Sequence, residues 1–195
     1  MDLLPRNEGF FDELEALAGL IARAGEAALG SDVASATAVR SARRESASLT
    51  RRLIQALQTS FIPPLDRDDL HQATLRIDDV VASLDWACFC RAQGDAKDAS
   101  ALTALVVSVR ACVETVVAAV GKLRVRAEHE QARALCDQLL DLQDRVEESR
   151  RAAWPDLVRH GEQALVLHTT ALSLVQVAAA CRAAADTLQA ALFDS

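Results

Sequence analysis

The chain has 195 residues, just over half of them apolar and a quarter charged, which is enough to bury a real core in one domain. Seven glycines, four prolines, no tyrosine and 4% aromatics exclude a many-stranded sheet protein and favour helices packed through small side chains. A formal charge of −7 argues against nucleic acid or an anionic membrane as the main partner, because both need a basic footprint.

Six helices are expected. Helix one runs from about Asn7 to Leu29, with Phe10, Leu14, Leu17, Ile21 and Ala24 at three- and four-residue spacings. Gly30, Ser31 and Asp32 end it and cap the next. Helix two runs from Asp32 to about Ser60 on Val39, Leu49, Leu53, Leu57 and Phe61, and Pro63-Pro64 must break it. Helix three opens at Asp66, a capping acid followed by further acids that suit the positive end of the helix dipole. It continues to about Gln93 on Leu70, Ile77, Val80, Val81, Leu84 and Cys88, before a turn at Gly94-Asp95.

Helix four is expected from about Lys97 to Arg124, with a stripe rich in valine (Val109, Val113, Val116, Val120) that needs burial to hold it. The apolar run from Ala101 to Val120 is interrupted by Ser108, Arg110 and Glu114, so it reads as a buried amphipathic helix and not a membrane span. Helix five runs from about Ala127 to Ala153 on Leu135, Leu139, Leu142 and Val146. Trp154-Pro155-Asp156 is expected to break the chain and cap helix six, which reaches about Leu192. The stretch from Ala164 to Ala191 is apolar nearly all round, which implies a central position. Short connections make sequential helices antiparallel neighbours, and helices of ~25 residues are roughly 37 Å long. The expected product is all-α: one elongated domain over residues 1–195, with helices one to three (about 7–93) and four to six (about 97–192) as two three-helix halves.

The five cysteines, Cys88, Cys90, Cys112, Cys136 and Cys181, form no CxxC or zinc-knuckle spacing. They read as small buried hydrophobes in a reducing cytosol. The opening MDLLPRNEGFF has no basic region followed by an apolar run, so no signal peptide is expected. No GxSxG, P-loop, GxGxxG or zinc-protease motif occurs, and no enzyme activity is expected.

Arg40, Arg44 and Arg51 share a narrow sector of helix two opposite its leucines, flanked by Arg43 and Arg52. Two readings stay open: a site for an anion or an acidic partner, or a solvated face paired with acids on a neighbouring helix. His71, Asp78 and Asp85 form a seven-residue stripe whose neighbours lie ~10.5 Å apart, too far for one ion, and read as surface. His129, His160 and His168 stand alone and read as surface or satisfied core residues.

One segment is unusual. Residues 59–71, TSFIPPLDRDDLH, are followed by RIDDVV at 76–81. This resembles the corner between helices two and three of the PhoU-like phosphate transport regulators, in particular the divergent branch called Pit accessory proteins, where "TFITPFDREDI" precedes "LDDVLD". RNEGFFDELEALAGLIARA and LQDRVEESRRAAW are similar to that family's first and fifth helices. The resemblance implies an elongated six-helix fold of two three-helix bundles. It also implies a cytoplasmic regulator of phosphate uptake whose partner is an inorganic phosphate transporter.

The family's metal sites are acid-xxx-acid pairs, in which residues four apart share one helix face and oxygen ligands can hold a hard cation. Carried onto this chain, those pairs fall on Arg43 and Ala47, Asp78 and Ala82, Leu140 and Asp144, and Val175 and Ala179. Every pair is broken, so the resemblance implies the fold and a degenerate metal site, with no cofactor beyond a weak divalent cation. Asp78, Asp79 and Asp144 are the residual acids, and solvated or salt-bridged positions are the plainer reading of them. Arg43, standing where the family has an acid, is expected to pair with Asp78 or Asp79 in place of the missing cation.

The leading functional expectation is a non-catalytic accessory protein of phosphate transport that acts by protein contact. The alternatives are a helical metal or anion binder using Asp78, Asp79 and Asp144, and a divergent bundle with a new partner. Homodimerisation stays open.

Overall fold

The computed structural model describes residues 7–30, 35–59, 66–94, 98–159 and 163–193. Among them are six α-helices: α1 (Asn7–Leu29), α2 (Ser35–Thr59), α3 (Arg67–Arg91), α4 (Thr103–Gly121), α5 (His129–Arg159) and α6 (Ala164–Phe193). No strand occurs among the described residues. Pro63, Pro64, Phe61 and His160, and the start of helix two at Asp32, lie outside the described residues.

Side chains on facing helices fix the directions. Arg23 meets Glu45 while Glu13 meets Arg52, so α1 and α2 are antiparallel. Ser108 bonds Ser149, near the far end of α5 from the Lys122–Glu128 pair, so α4 and α5 are antiparallel too. Asp137 meets Gln189 and Trp154 meets His168, which sets α5 against α6 in the same sense. Each half is therefore an up-down-up bundle. The halves join through α3 on α6 and α1 on α4, and one contiguous cluster of buried side chains fills both. Leu17, Ile21, Leu53, Ile77, Leu105 and Val177 are among its members. Fully burying a side chain of this size is worth about 1.5–3 kcal/mol.

Asp66 caps α3 as expected: its carboxylate accepts from the backbone N–H groups of Asp68 (2.9 Å) and Asp69 (3.2 Å). The other end of α1 is closed from two sides. Arg91 of α3 donates to the Ala28 and Gly30 carbonyls, and Arg110 of α4 donates to that of Leu29 at 2.9 Å. Two guanidinium groups thus satisfy carbonyls that the helix leaves open at its negative end. α6 touches α3, α4 and α5, in keeping with its apolar sequence, and keeps one stripe exposed through Leu165 and Leu172. By length and composition, Ser100–Gly121 and Ala164–Phe193 are each apolar enough to cross a membrane; here each turns its buried residues into the core.

Several boundaries differ from the expected ones, and α4 ends at Gly121 and not at Arg124. The segment before α4 begins as a 3₁₀ helix over Asp98–Leu102 and becomes α-helical only at Thr103. Helix five does not break at Trp154-Pro155-Asp156 but continues through Pro155 to Arg159. An internal proline costs about 3 kcal/mol. Here Ala153 and Leu157, buried on either side of it, hold the last turn onto the core. α6 consequently starts at Ala164 and not at Asp156.

Candidate functional site

The residues singled out on α2 and α3 meet where those helices pack. Arg43 sits at the edge of the apolar stripe of α2, and its guanidinium reaches across to α3. Its Nη1 lies 2.8 Å from Asp78 Oδ1 and 3.0 Å from Oδ2. Ser46, one turn further along α2 and fully buried, donates its hydroxyl to Asp78 Oδ1. The Asp78 side chain is 15% exposed and that of Arg43 32%. Asp78 is therefore a half-buried carboxylate whose charge is met by one cation and one hydroxyl.

The other expected site residues do not join them. Asp79 faces outward and pairs with Arg76 on its own helix at 3.3 Å. Asp144 is exposed on α5. Among the described residues no group of three or more His, Cys, Asp or Glu side chains is placed to hold a metal ion. The arginine stripe divides. Arg43 is spent on Asp78, Arg52 pairs with Glu13 of α1, and Arg51 Nε donates to the Ala47 carbonyl of its own helix at 3.1 Å. Arg40 and Arg44 are exposed and make no ion pair among the described residues.

Ser46 escaped the sequence reading. Its one signal is position: it falls between Ala42 and Leu49 on the buried face of α2, where a hydroxyl needs a partner.

Nucleophiles are withheld from this surface. All five cysteines are buried, and burial pushes every thiol pKa up, to about 11 for Cys112 and Cys136. His129 has Nε2 3.0 Å from the Leu123 carbonyl, and His168 packs against the edge of Trp154. A groove of about 460 Å³ between α1 and α4 is lined by Ala22, Gly25, Glu26, Arg110, Val113 and Glu114. It carries two acids and a guanidinium already bound to a backbone carbonyl. The arrangement can hold an ion pair and present charge.

No family model matches the chain, and no curated protein matches it in sequence. Its fold is nevertheless shared with solved structures. A PhoU-like protein of Shewanella oneidensis MR-1 superposes with a TM-score of 0.73 at 14% identity, over 96% of this chain and 97% of that one. A second solved structure from that organism, of a PhoU-like phosphate regulatory protein, gives a TM-score of 0.72 at 14% identity over the same shares. The chain thus has the PhoU-like fold over nearly its whole length, as the corner motif and the six helices implied.

Proposed function

We propose that this chain is a non-catalytic regulator of inorganic phosphate uptake that acts in the cytoplasm by contact with a transporter. The observation that carries the reading is the fold: 96% of the chain matches the solved structure of a PhoU-like phosphate regulatory protein. The Pit accessory branch is the one that the motif at residues 59–81 resembles.

In this reading the metal duty of the fold has been given up. Asp78, the best-placed residual acid, already accepts from Arg43 and Ser46, while Asp79 pairs with Arg76 and Asp144 is exposed on α5. A cation cluster does not fit these residues, and Arg43 supplies in the chain the positive charge that an ion would bring.

The test is uptake of radiolabelled phosphate in the source organism with the gene deleted and then restored. Deletion should change the uptake rate or its response to external phosphate, and restoration should reverse the change. Identical uptake in the deleted and parent strains, under both phosphate starvation and excess, would remove the reading.

A further inference from the structure

The groove between α1 and α4 is built from small side chains. Gly25 lets the two helices close on Val113, while Ala22 and Ala118 bring only methyl groups to its edges. About 460 Å³ stays open at this seam between the halves, a volume that suits a small molecule. Val113 and Val117 give it an apolar floor. One end is basic. Arg110 of α4 donates to the Leu29 carbonyl, and Arg91 of α3 donates to the carbonyls of Ala28 and Gly30 on either side of it. Two guanidinium groups thus meet on three successive carbonyls.

Neither guanidinium has a carboxylate within ion-pair distance among the described residues. The open end of α1 offsets about half an elementary charge, so most of the positive charge of the pair is left without a counter-ion. Burial lowers the Arg91 pKa, and the charge of Arg110 beside it lowers it too. Arg110 spends only Nη2 on the protein, and its side chain is exposed, so the rest of its planar fork is open to a ligand. Such a fork fits the oxygens of a phosphate in pairs. The opposite charge stands about one turn away along each lip. Glu114 follows Arg110 by four residues on α4, and Glu26 precedes Leu29 by three on α1. Both carboxylates are exposed and make no ion pair among the described residues.

We propose that this groove binds a small phosphate monoester bearing hydroxyl or amine groups, with its phosphate on Arg110 and Arg91 and its donors on Glu26 and Glu114. The segregated charges select that class. A bare anion would gain the guanidinium groups, but it would fill little of the volume and face both carboxylates. A bare cation would face the guanidinium groups. A molecule with an anionic head and a donor-bearing body satisfies both ends, and its carbon skeleton covers Val113 and Val117. Arg91 belongs to one half of the bundle and Arg110 to the other, so a bound phosphate bridges the seam. This site goes beyond the regulatory reading and stands or falls without it.

The probes are glucosamine 6-phosphate, glucose 6-phosphate and adenosine monophosphate, with inorganic phosphate and glucosamine as controls. Each is titrated into the full chain by calorimetry at constant ionic strength. At least one ester should bind about tenfold or more tighter than either control. Arg110→Gln should weaken that ester by about tenfold or more, because the paired contacts to phosphate are gone. Arg110→Lys keeps the charge without the fork and should recover only part of the affinity. Glu26→Ala with Glu114→Ala should cut the advantage of the ester over inorganic phosphate. These three side chains are exposed, so the variants should melt close to the parent. The bound ester should also slow amide exchange in the last turn of α1. Four results would overturn the proposal: no heat from any ester up to about 10 mM, inorganic phosphate binding as tightly as every ester, equal binding of the ester to Arg110→Gln and parent, or an advantage over phosphate that survives the loss of both glutamates.

Discussion

Arg43 on α2 spans both carboxylate oxygens of Asp78 on α3, at 2.8 and 3.0 Å, and the hydroxyl of the buried Ser46 completes the contact. A carboxylate held this way is an anchor between two helices. A charged hydrogen bond contributes about 1.5–3 kcal/mol, and the partial exposure of Arg43 pulls the expected value to the lower end.

Arg43→Glu turns that attraction into repulsion between two half-buried carboxylates. It should lower the melting midpoint, with a loss of about 1–3 kcal/mol. Mg²⁺, Mn²⁺ or Fe²⁺ should then recover part of the loss, because two carboxylates on facing helices can share a hard cation. Thermal melting of parent and variant with and without each ion decides it. A variant that melts like the parent and ignores all three ions would mean that Arg43 is not a substitute for a cation.

Much of this anchor was legible in the sequence. Arg43 sits at the edge of the α2 stripe, and the acids at 78 and 79 follow the corner motif, so a reach across helices could be expected. Choosing Asp78 over Asp79 could not, because that depends on how α3 is rotated against α2. Asp78 faces α2, while Asp79, 100° further round, pairs with Arg76. The arginine stripe was legible as a stripe, but its division between Asp78, Glu13, a backbone carbonyl and solvent is set by neighbours that periodicity does not reveal. Asp66 announced α3 through local chemistry alone. Pro155 misled because its local cost was visible, whereas the burial of Leu157 that offsets it is a tertiary fact.

The seam between the halves should be sensitive at Gly25. A Cβ added there would lie 2.8 Å from Val113 Cγ1, and Val113 is buried and stiff about χ1. Alanine gains about 1 kcal/mol of helix propensity over glycine, while overpacking costs about 1–3 kcal/mol. Gly25→Ala should therefore be destabilising or near neutral alone, and clearly better tolerated in a Val113→Ala background. A double-mutant cycle by urea unfolding measures the coupling; additivity of the two changes would contradict the close approach.

The double closure of α1 gives a local prediction. Arg91→Met keeps most of the buried stem and removes the guanidinium from the Ala28 and Gly30 carbonyls. Arg110 still serves Leu29. The loss should be about 1–2 kcal/mol, with faster amide hydrogen exchange concentrated in the last turn of α1. Exchange rising equally throughout the bundle would point to global loosening instead of an opened helix end.

The last prediction concerns alkaline pH. Burial raises the thiol pKa of Cys112 and Cys136 to about 11 and pushes that of Cys181 well up too. An unfolded chain releases these protons near pH 8.5. Between those values the folded state binds more protons than the unfolded one, so stability falls as pH rises. The thiols' contribution is fully present below about pH 8.5 and is lost as pH climbs toward and beyond about 11, at up to ~1.4 kcal/mol per pH unit for each thiol. Competing titrations are few, since the chain has no tyrosine and only two lysines, Lys97 and Lys122. The melting midpoint should therefore drop steadily from about pH 8 to about pH 10.5, and Cys112→Ala with Cys136→Ala should flatten that slope even if it lowers the midpoint at neutral pH. Reaction with a soluble disulfide reagent at neutral pH should be slow for the folded protein and fast in denaturant. A midpoint that stays level over this range, or rapid labelling of the folded protein, would show that the thiols are not shut in as the packing of α4, α5 and α6 places them.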